Sequence, residues 1–345
     1  MSGKIKINHI PEASEFLNSV SKLKVVIIGD VMIDSYLWGR VDRISPEAPV
    51  PIVLIKNTDQ RLGGAANVAL NIQSMGATPI LCSVIGSDRE GNEFKSLLEK
   101  NNLSTEGIVV SNGRTTTIKH RVLAGSHQMI RLDAEQDTLL DRLEYEALLD
   151  KLNKILPIAD VVIFEDYDKG VLSEKLISEV VNQCIKLGIP TIVDPKKRNF
   201  LAYRNVSLFK PNKKELIEGL KLDSNLNTVQ EVQIAVKQLK RELNSETVLI
   251  TLSEQGVYIE SETDKHHIAA HKREISDVSG AGDTVISVAA LCYALGLPAQ
   301  LLASLANLAG GIVCEHVGVV PIDKNILLKE IQRLNLLPNV AGNAQ

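Results

Sequence analysis

Cysteine is scarce and scattered. The 345-residue chain has four, Cys82, Cys184, Cys292 and Cys314, none in a CxxC spacing and each among apolar residues. That pattern argues against a metal cluster and for reduced thiols in the core of a cytoplasmic protein. An excess of one charge is also missing. The net charge is −4, so neither nucleic acid nor a membrane surface is implied as a partner, and an anionic ligand has to be held by local positive groups. Met1–Ser21 is polar and lacks the apolar core of a signal segment. The most apolar region, Val285–Cys314, is interrupted by Gly296, Pro298, Gln300 and Asn307. It reads as two buried helices and not as a membrane span. The turn after the first apolar run, Gly29-Asp30-Val31-Met32-Ile33-Asp34, has no G-x-G-x-x-G, which counts against a nicotinamide enzyme. Internal repeats and low-complexity segments are absent as well.

What is present is an ordinary globular composition, 44% hydrophobic and 23% charged, enough for one large α/β domain with an appendage. Short β-type runs at Lys24–Ile28, Asp160–Phe164, Thr191–Val193, Val206–Phe209 and Thr247–Thr251 are separated mostly by helical patterns at Gly64–Met75, Ser173–Leu187, Lys213–Gly219 and Val229–Leu243. Such alternation predicts a doubly wound, mostly parallel sheet with helices on both faces, binding its ligand at the carboxyl ends of the strands. Residues 36–56 and 117–133 break the rhythm. They read as β hairpins, a small β-sheet lid inserted into a body that runs from residue 24 to 335. Residues 1–23 are expected to be an N-terminal extension and residues 336–345 a frayed tail.

The richest segment is Asp277-Val278-Ser279-Gly280-Ala281-Gly282-Asp283-Thr284, followed by an apolar helical run. Small residues at a helix N-terminus let backbone N–H groups approach an anion, and the helix dipole favours negative charge there. A fixed carboxylate at that point suits phosphoryl transfer to an alcohol, with Asp283 as base and Gly280, Ala281 and Gly282 as the anion hole. The plainer alternative is a glycine turn capped by an acid.

Five further groups carry possible chemistry. Asp30 ends a strand at the mouth of the sheet, as a sugar ligand or a turn cap. Gly63-Gly64-Ala65-Ala66-Asn67 opens a helix, its glycines allowing close approach and Asn67 offering donor and acceptor to a polyol. In the hairpin through Ala124-Gly125-Ser126, Lys119 and Arg121 share one face, and Arg131 and Asp133 share one face of the return strand. A three-residue loop would set Lys119 opposite Arg131, a conflict that a substrate phosphate, Asp133 or Glu135 would relieve; a solvated charged face is the alternative. Asn212 and Glu215 stand three apart where a strand runs into a helix, placed to hold Mg²⁺ through its waters or simply to start the helix. Asn307, in an apolar helix, needs a partner that a nucleotide base or the backbone can supply.

Together these motifs resemble the PfkB/ribokinase family of carbohydrate kinases. Gly63–Asn67 is similar to the family's N-terminal signature, Asp277–Asp283 to its C-terminal signature, and Asn212–Glu215 to its N-x-x-E magnesium element. Within the family, Gly29–Asp34, Arg43–Pro51, Arg121–Leu123, Ile130–Asp133, Asp166-Tyr167-Asp168-Lys169-Gly170 and Asp194-Pro195-Lys196 look like the members acting on D-glycero-β-D-manno-heptose 7-phosphate. The resemblance implies a ribokinase-like fold and ATP-dependent phosphorylation of that sugar's anomeric hydroxyl, with ATP and Mg²⁺ as cofactors. Carried over, Asp283 is the base; Asp34, Gly63, Gly64 and Asn67 hold the sugar. Lys119, Arg121, Arg131 and Lys169 supply charge for the sugar phosphate. Lys196, Asn212, Ser253, Gly256 and Asn307 line the nucleotide side, and Asn212 and Glu215 serve the metal. The alternatives are a kinase for another sugar or nucleoside and a non-catalytic relative. Ser279 stands where the family usually has Thr, keeping the hydroxyl. No H-x-G-H element for nucleotidyl transfer occurs before Gln345, so a kinase alone is expected, with a separate nucleotidyltransferase and phosphatase downstream and a homodimer formed through the lid.

Overall fold

Lys24–Gly29 carries four consecutive β-branched residues, and the period of two sends them alternately into two cores. Val25 and Ile27 join one apolar cluster, Val26 and Ile28 the other, and all four are fully buried. This strand lies inside the main sheet of a computed structural model that describes residues 6–7, 9–125 and 127–338. In chain order its elements are α1 (Ala13–Val20), β1 (Lys24–Gly29), β2 (Val31–Ile44), β3 (Pro51–Gly64), α2 (Ala65–Ser74), β4 (Thr78–Gly86), α3 (Arg89–Lys100), β5 (Ile108–Ser111), β6 (Ile118–Ala124) and β7 (His127–Ala134). Then come α4 (Arg142–Ile155), β8 (Val161–Glu165), α5 (Glu174–Leu187), β9 (Thr191–Asp194), β10 (Leu208–Phe209), α6 (Lys213–Leu220), α7 (Val229–Leu243) and β11 (Thr247–Thr251). The chain closes with β12 (Val257–Glu260), β13 (Lys265–Ile268), α8 (Ala281–Ala294), α9 (Ala299–Val313) and α10 (Lys324–Arg333).

The main sheet has the order β13-β12-β11-β10-β9-β8-β1-β4-β5, with all pairs from β11 to β5 parallel and β12 and β13 antiparallel at one edge. Helices α2, α8 and α9 cover one face, and α4, α5 and α7 the other. The expected doubly wound architecture is therefore the observed one. The segment read as an N-terminal extension contributes α1, whose Phe16 and Val20 are fully buried in the first core. Of the segment read as a tail, Leu337 is buried in that core; residues 339–345 lie outside the described residues.

The lid is a separate sheet of order β3-β2-β6-β7, with β2 and β6 parallel and the other pairs antiparallel. It springs directly from the end of β1, and β3 returns to the main body at Gly64, immediately before α2. The hairpin register differs from the expected one. Lys119 faces Asp133, and it is Arg121 that faces Arg131. Only two residues separate β6 from β7, and a bulge between Val122 and Leu123 leaves Met129 unpaired. Together these move the pairing away from the Lys119–Arg131 match. Ser126 of this turn lies outside the described residues.

The two lid faces differ, one rich in charge and the other mixing aliphatic side chains with Ser35, Gln60 and His120. Asp34, Tyr36, Lys119, Arg121, Arg131 and Asp133 fall on one side by register, while Leu37, Val122, Ile130 and Leu132 fall on the other. Ile130 and Leu132 are each 51% exposed.

Candidate active site

Helix α8 begins at Ala281, after an N-cap Gly280 whose φ of 79° lies in the region that favours glycine. Two residues in, Asp283 is buried and held by two donors: Asn67 Nδ2 donates to its Oδ2 at 2.7 Å, and the Tyr167 hydroxyl donates to its Oδ1 at 2.8 Å. Burial pushes the Asp283 carboxyl up to about 6, while the hydrogen bonds from Asn67 and Tyr167 pull against that rise. The carboxylate is thus ionised near neutral pH and poised to take a proton. The Tyr167 hydroxyl is driven well above its usual value, chiefly by burial, so it stays a donor.

Asn67 is fixed in turn. Its backbone carbonyl and Oδ1 accept from Asn71 Nδ2, and Asn71 Oδ1 accepts from Thr284 Oγ1 and the Ile322 amide. Asp277 shapes the turn before α8, accepting from the Ser279 amide and hydroxyl and from the Gly318 amide. The second acid of the sequence motif therefore acts on the loop. The amides of Gly282 and Asp283 lie in the first helical turn, where an α-helix offers no internal acceptor.

Around this turn the structure gathers strand ends. A methyl group at Gly282 would lie 3.7 Å from Asp194 Oδ2 and 3.8 Å from Lys210 Nζ. Asp194 and Lys210 form a buried ion pair at 2.8 Å. Glu165, Asp194 and Asp283 are all buried, and one oxygen from each falls within 4.8 Å of the others. Burial, then Asp194 and Asp283, hold the Glu165 carboxyl well above its ordinary range, against Lys210 and Lys196. Lys196 Nζ pairs with Glu215 Oε1 at 2.7 Å and lies 5.3 Å from the centre of the Tyr167 ring.

Asp30, equally readable from sequence as a sugar ligand or a cap, is neither. It is buried, and its carboxylate accepts the backbone N–H groups of Tyr167, Lys169 and Val171 at 2.9–3.0 Å. It anchors the loop that presents Tyr167 to Asp283. Asn212 and Glu215 form a reciprocal capping box at the start of α6, each side chain accepting from the other's amide at 2.8 Å.

The lid brings the expected sugar residues to the same mouth. Asp34 Oδ1 accepts from Arg121 Nη1 at 2.5 Å. Gly63 must lack a side chain because a Cβ there would sit 2.2 Å from Asp34 Oδ2. Lys119 pairs with Asp133 and Glu135, each at 3.0 Å, and Lys169 pairs with the same Glu135 at 2.9 Å. Arg131 pairs with Asp133 at 3.0 Å. The cations are thus clustered, and acids separate them.

Ser253 and Gly256 sit in the turn between β11 and β12, close to α6 through a bridge between Asn212 and Thr251. Gly256 abuts the Ile268 carbonyl, where a Cβ would collide at 2.0 Å. Asn307 is only half-buried and donates to the Ala269 carbonyl at 2.9 Å, which is the backbone alternative foreseen for it. Sequence reasoning left Tyr167, Glu165, Asp194 and Lys210 without individual roles here. The usable signal was positional: Glu165 and Asp194 each end a parallel strand, where such sheets keep their ligands.

The sequence pattern of the pfkB family carbohydrate kinases matches residues 22–325. The chain belongs to this family. Among curated relatives, the "Bifunctional protein HldE" of Campylobacter concisus is 41% identical over 298 residues, covering 86% of this chain and 62% of that protein. The protein of the same name from Methylobacillus flagellatus is 40% identical over 311 residues, 89% of this chain and 63% of its own length. The chain therefore spans somewhat over three-fifths of these relatives. Among solved structures, Escherichia coli phosphofructokinase-2 in complex with potassium superposes with a TM-score of 0.72 at 18% identity, covering 90% of this chain and all of that one. Arabidopsis thaliana ribokinase complexed with ribose and ATP gives a TM-score of 0.70 at 16% identity, with 89% and 99% covered. At that identity these two establish the ribokinase-like fold of this PfkB kinase and nothing finer. No helix among the described residues is long and apolar enough to cross a membrane.

Proposed function

We propose that this PfkB kinase transfers the γ-phosphoryl group of ATP to the anomeric hydroxyl of D-glycero-β-D-manno-heptose 7-phosphate, giving the 1,7-bisphosphate and ADP. The observation that carries the chemistry is Asp283, held by Asn67 and Tyr167 in the first turn of a helix whose leading amides face outward for an anion. Asp283 takes the hydroxyl proton as the new O–P bond forms and the bond from phosphorus to the ADP oxygen breaks. Of the anion hole expected at Gly280, Ala281 and Gly282, the Ala281 amide donates to the Val278 carbonyl at 3.3 Å; the amides of Gly282 and its neighbour Asp283, with the α8 dipole, favour charge on the passing phosphoryl group. Mg²⁺ would neutralise the ATP phosphates. Lys196 lies on the nucleotide side, with Ser253, Gly256 and Asn307 towards the base.

Substrate choice falls to the lid. Asp34, Gly63, Gly64 and Asn67 take the sugar hydroxyls, and Lys119, Arg121, Arg131 and Lys169 take the 7-phosphate. Lys119, Lys169 and Arg131 set three cations against the two carboxylates of Asp133 and Glu135, which favours a phosphorylated sugar over a neutral one. The names of the relatives and the lid motifs support the heptose. A phosphatase and a nucleotidyltransferase acting on the product would complete the conversion to an activated sugar. The half-exposed Ile130 and Leu132 on one face of the lid suit a homodimer joined lid to lid.

ATP consumption against a panel of heptose 7-phosphate, fructose 6-phosphate, ribose and nucleosides tests the assignment. Turnover highest with heptose 7-phosphate is the expected result. Preference for another sugar would remove the heptose, and no turnover with any sugar phosphate would remove the kinase reaction proposed.

A further inference from the structure

Arg61, on β3 of the lid, is fastened to a loop 258 residues further along the chain. Its Nη1 donates to the Val319 carbonyl at 3.1 Å, and its Nε pairs with Asp59 at 2.7 Å. Its guanidinium lies 5.0 Å from the centre of the Tyr36 ring, and that of Arg121 lies 5.3 Å from the same ring. Tyr36 is buried and so joins two cations of the lid. The body is fitted to this contact at Gly318. A Cβ there would come within 3.0 Å of Arg61 Nη1 and 3.3 Å of the Tyr36 hydroxyl, and the residue's φ of 75° favours glycine.

The loop that Arg61 holds leads to the turn before α8. The Gly318 amide donates to Asp277 Oδ2 at 2.9 Å, and Asp277 Oδ1 accepts from the Ser279 amide and hydroxyl. Gly280 comes next, where a Cβ would lie 3.3 Å from Val319 Cγ1. At the lid end, Arg121 donates to Asp34 Oδ1, on the carboxylate assigned above to sugar hydroxyls. A sugar that takes Asp34 competes for the group that holds Arg121, and Arg121 rests against the same ring as Arg61. Contacts are therefore continuous from the sugar carboxylate to the phosphoryl-binding turn. As a plain surface ion pair, Arg61–Asp59 would matter little, since both side chains are about a third exposed. Its position between lid and loop is what sets Arg61 apart.

We propose that Arg61 is a positioning residue that couples the two substrates. Through the Val319 carbonyl and the Tyr36 ring it ties the placement of the turn before α8 to occupation of the sugar site, so each substrate binds more tightly when the other is present. The inference rests on the sugar-kinase reading above. Linkage makes the effect reciprocal: the factor by which the sugar phosphate tightens ATP equals the factor by which ATP tightens the sugar phosphate. A row of contacts is not itself a coupling, so the coupling is the quantity to measure.

The test is calorimetric titration of the full chain with a non-hydrolysable ATP analogue, with and without saturating heptose 7-phosphate, beside steady-state turnover. The wild type should bind the analogue at least about fivefold more tightly with the sugar phosphate present. Arg61→Ala should bind the analogue alone within about twofold of wild type, gain less than about twofold from the sugar phosphate, and lose at least about fivefold in turnover. Arg61→Lys keeps a donor for the Val319 carbonyl and should recover a gain of at least about threefold. A residue that only stabilised the fold would weaken both ligands and leave the factor between them unchanged. Wild-type coupling in Arg61→Ala, or a wild type that turns over sugar phosphate with no coupling, overturns the inference and leaves the proposed reaction standing. A wild type that neither binds nor phosphorylates any sugar phosphate removes the reaction and the coupling together.

Discussion

Replacing Tyr167 with Phe removes a single hydroxyl from the base while keeping the ring that Lys196 overlies at 5.3 Å. That hydroxyl donates to Asp283 Oδ1 at 2.8 Å, and a hydrogen bond to an ionised group contributes about 1.5–3 kcal/mol. Since about 1.4 kcal/mol corresponds to one pKa unit, losing it should raise the Asp283 pKa by about 1–2. The starting value is about 6, so at pH 7 the ionised fraction should fall from about nine-tenths to between about half and a tenth. The sign follows from the chemistry: the base must be ionised, so activity rises with pH through its pKa. The kcat profile of Tyr167→Phe should therefore show its acid limb displaced upward by 1–2 pH units, with turnover at pH 7 reduced about two- to tenfold and largely restored by pH 9. The assay is steady-state turnover under saturating ATP and sugar phosphate from pH 5 to 9. An acid limb at the wild-type position, or a uniform loss at every pH, would refute the role given to this hydrogen bond.

Other perturbations separate the parts of the site. Lys119→Ala and Lys169→Ala should each raise the KM for the sugar phosphate about tenfold or more, as expected for a charge-assisted contact, and leave the KM for ATP within about twofold; equal effects on both would count against a phosphate site in the lid. Asp30→Ala strips three backbone N–H groups of their acceptor, each costing about 1–3 kcal/mol, so urea unfolding should show a loss of at least about 3 kcal/mol; a loss below 1 kcal/mol would contradict the anchoring role. Burial lifts the folded Asp283 carboxyl from its ordinary 3.8 to about 6, so the folded state holds this proton more tightly than the unfolded chain. Stability from this group therefore falls as pH rises from about 4 to 6 and stays low above that. Asp283→Asn should then melt higher than wild type at pH 8, by the equivalent of at most about 3 kcal/mol, with the gain vanishing below pH 4. A lower melting point at pH 8 would contradict it.

The fold was legible because its signals were local. Runs such as Val25–Ile28 and Thr247–Ile250 bury both faces and cannot be amphipathic helices, and the strand–helix alternation then leaves few topologies. The lid's strands were visible, but its register was not. The pairing turns on a bulge at Met129, and nothing in the residue types around it announces an extra residue. Gly63–Asn67 and Gly280–Asp283 were legible as a pair of glycine-bearing helix starts, and the fold brings them together through Asn67 and Asp283. Glu165, Tyr167 and Lys210 were harder to see. Each sits at or just past a strand end, and its role depends on which strands are neighbours across the sheet, a fact of topology and not of sequence spacing. Asp30 shows the opposite failure: a strand-end acid invites a ligand role, and only the three amides of a loop 137 to 141 residues away show that it is structural.

The central claim is that Asp283 is the base for phosphoryl transfer to a sugar hydroxyl. Its most direct test is the kcat of Asp283→Asn with heptose 7-phosphate and ATP at pH 8, measured beside nucleotide binding by calorimetry. Asn keeps the side chain's size and removes the proton acceptor. The account predicts a fall in kcat of about 10²–10⁴ with ATP affinity within about threefold of wild type. Turnover within tenfold of wild type would contradict it.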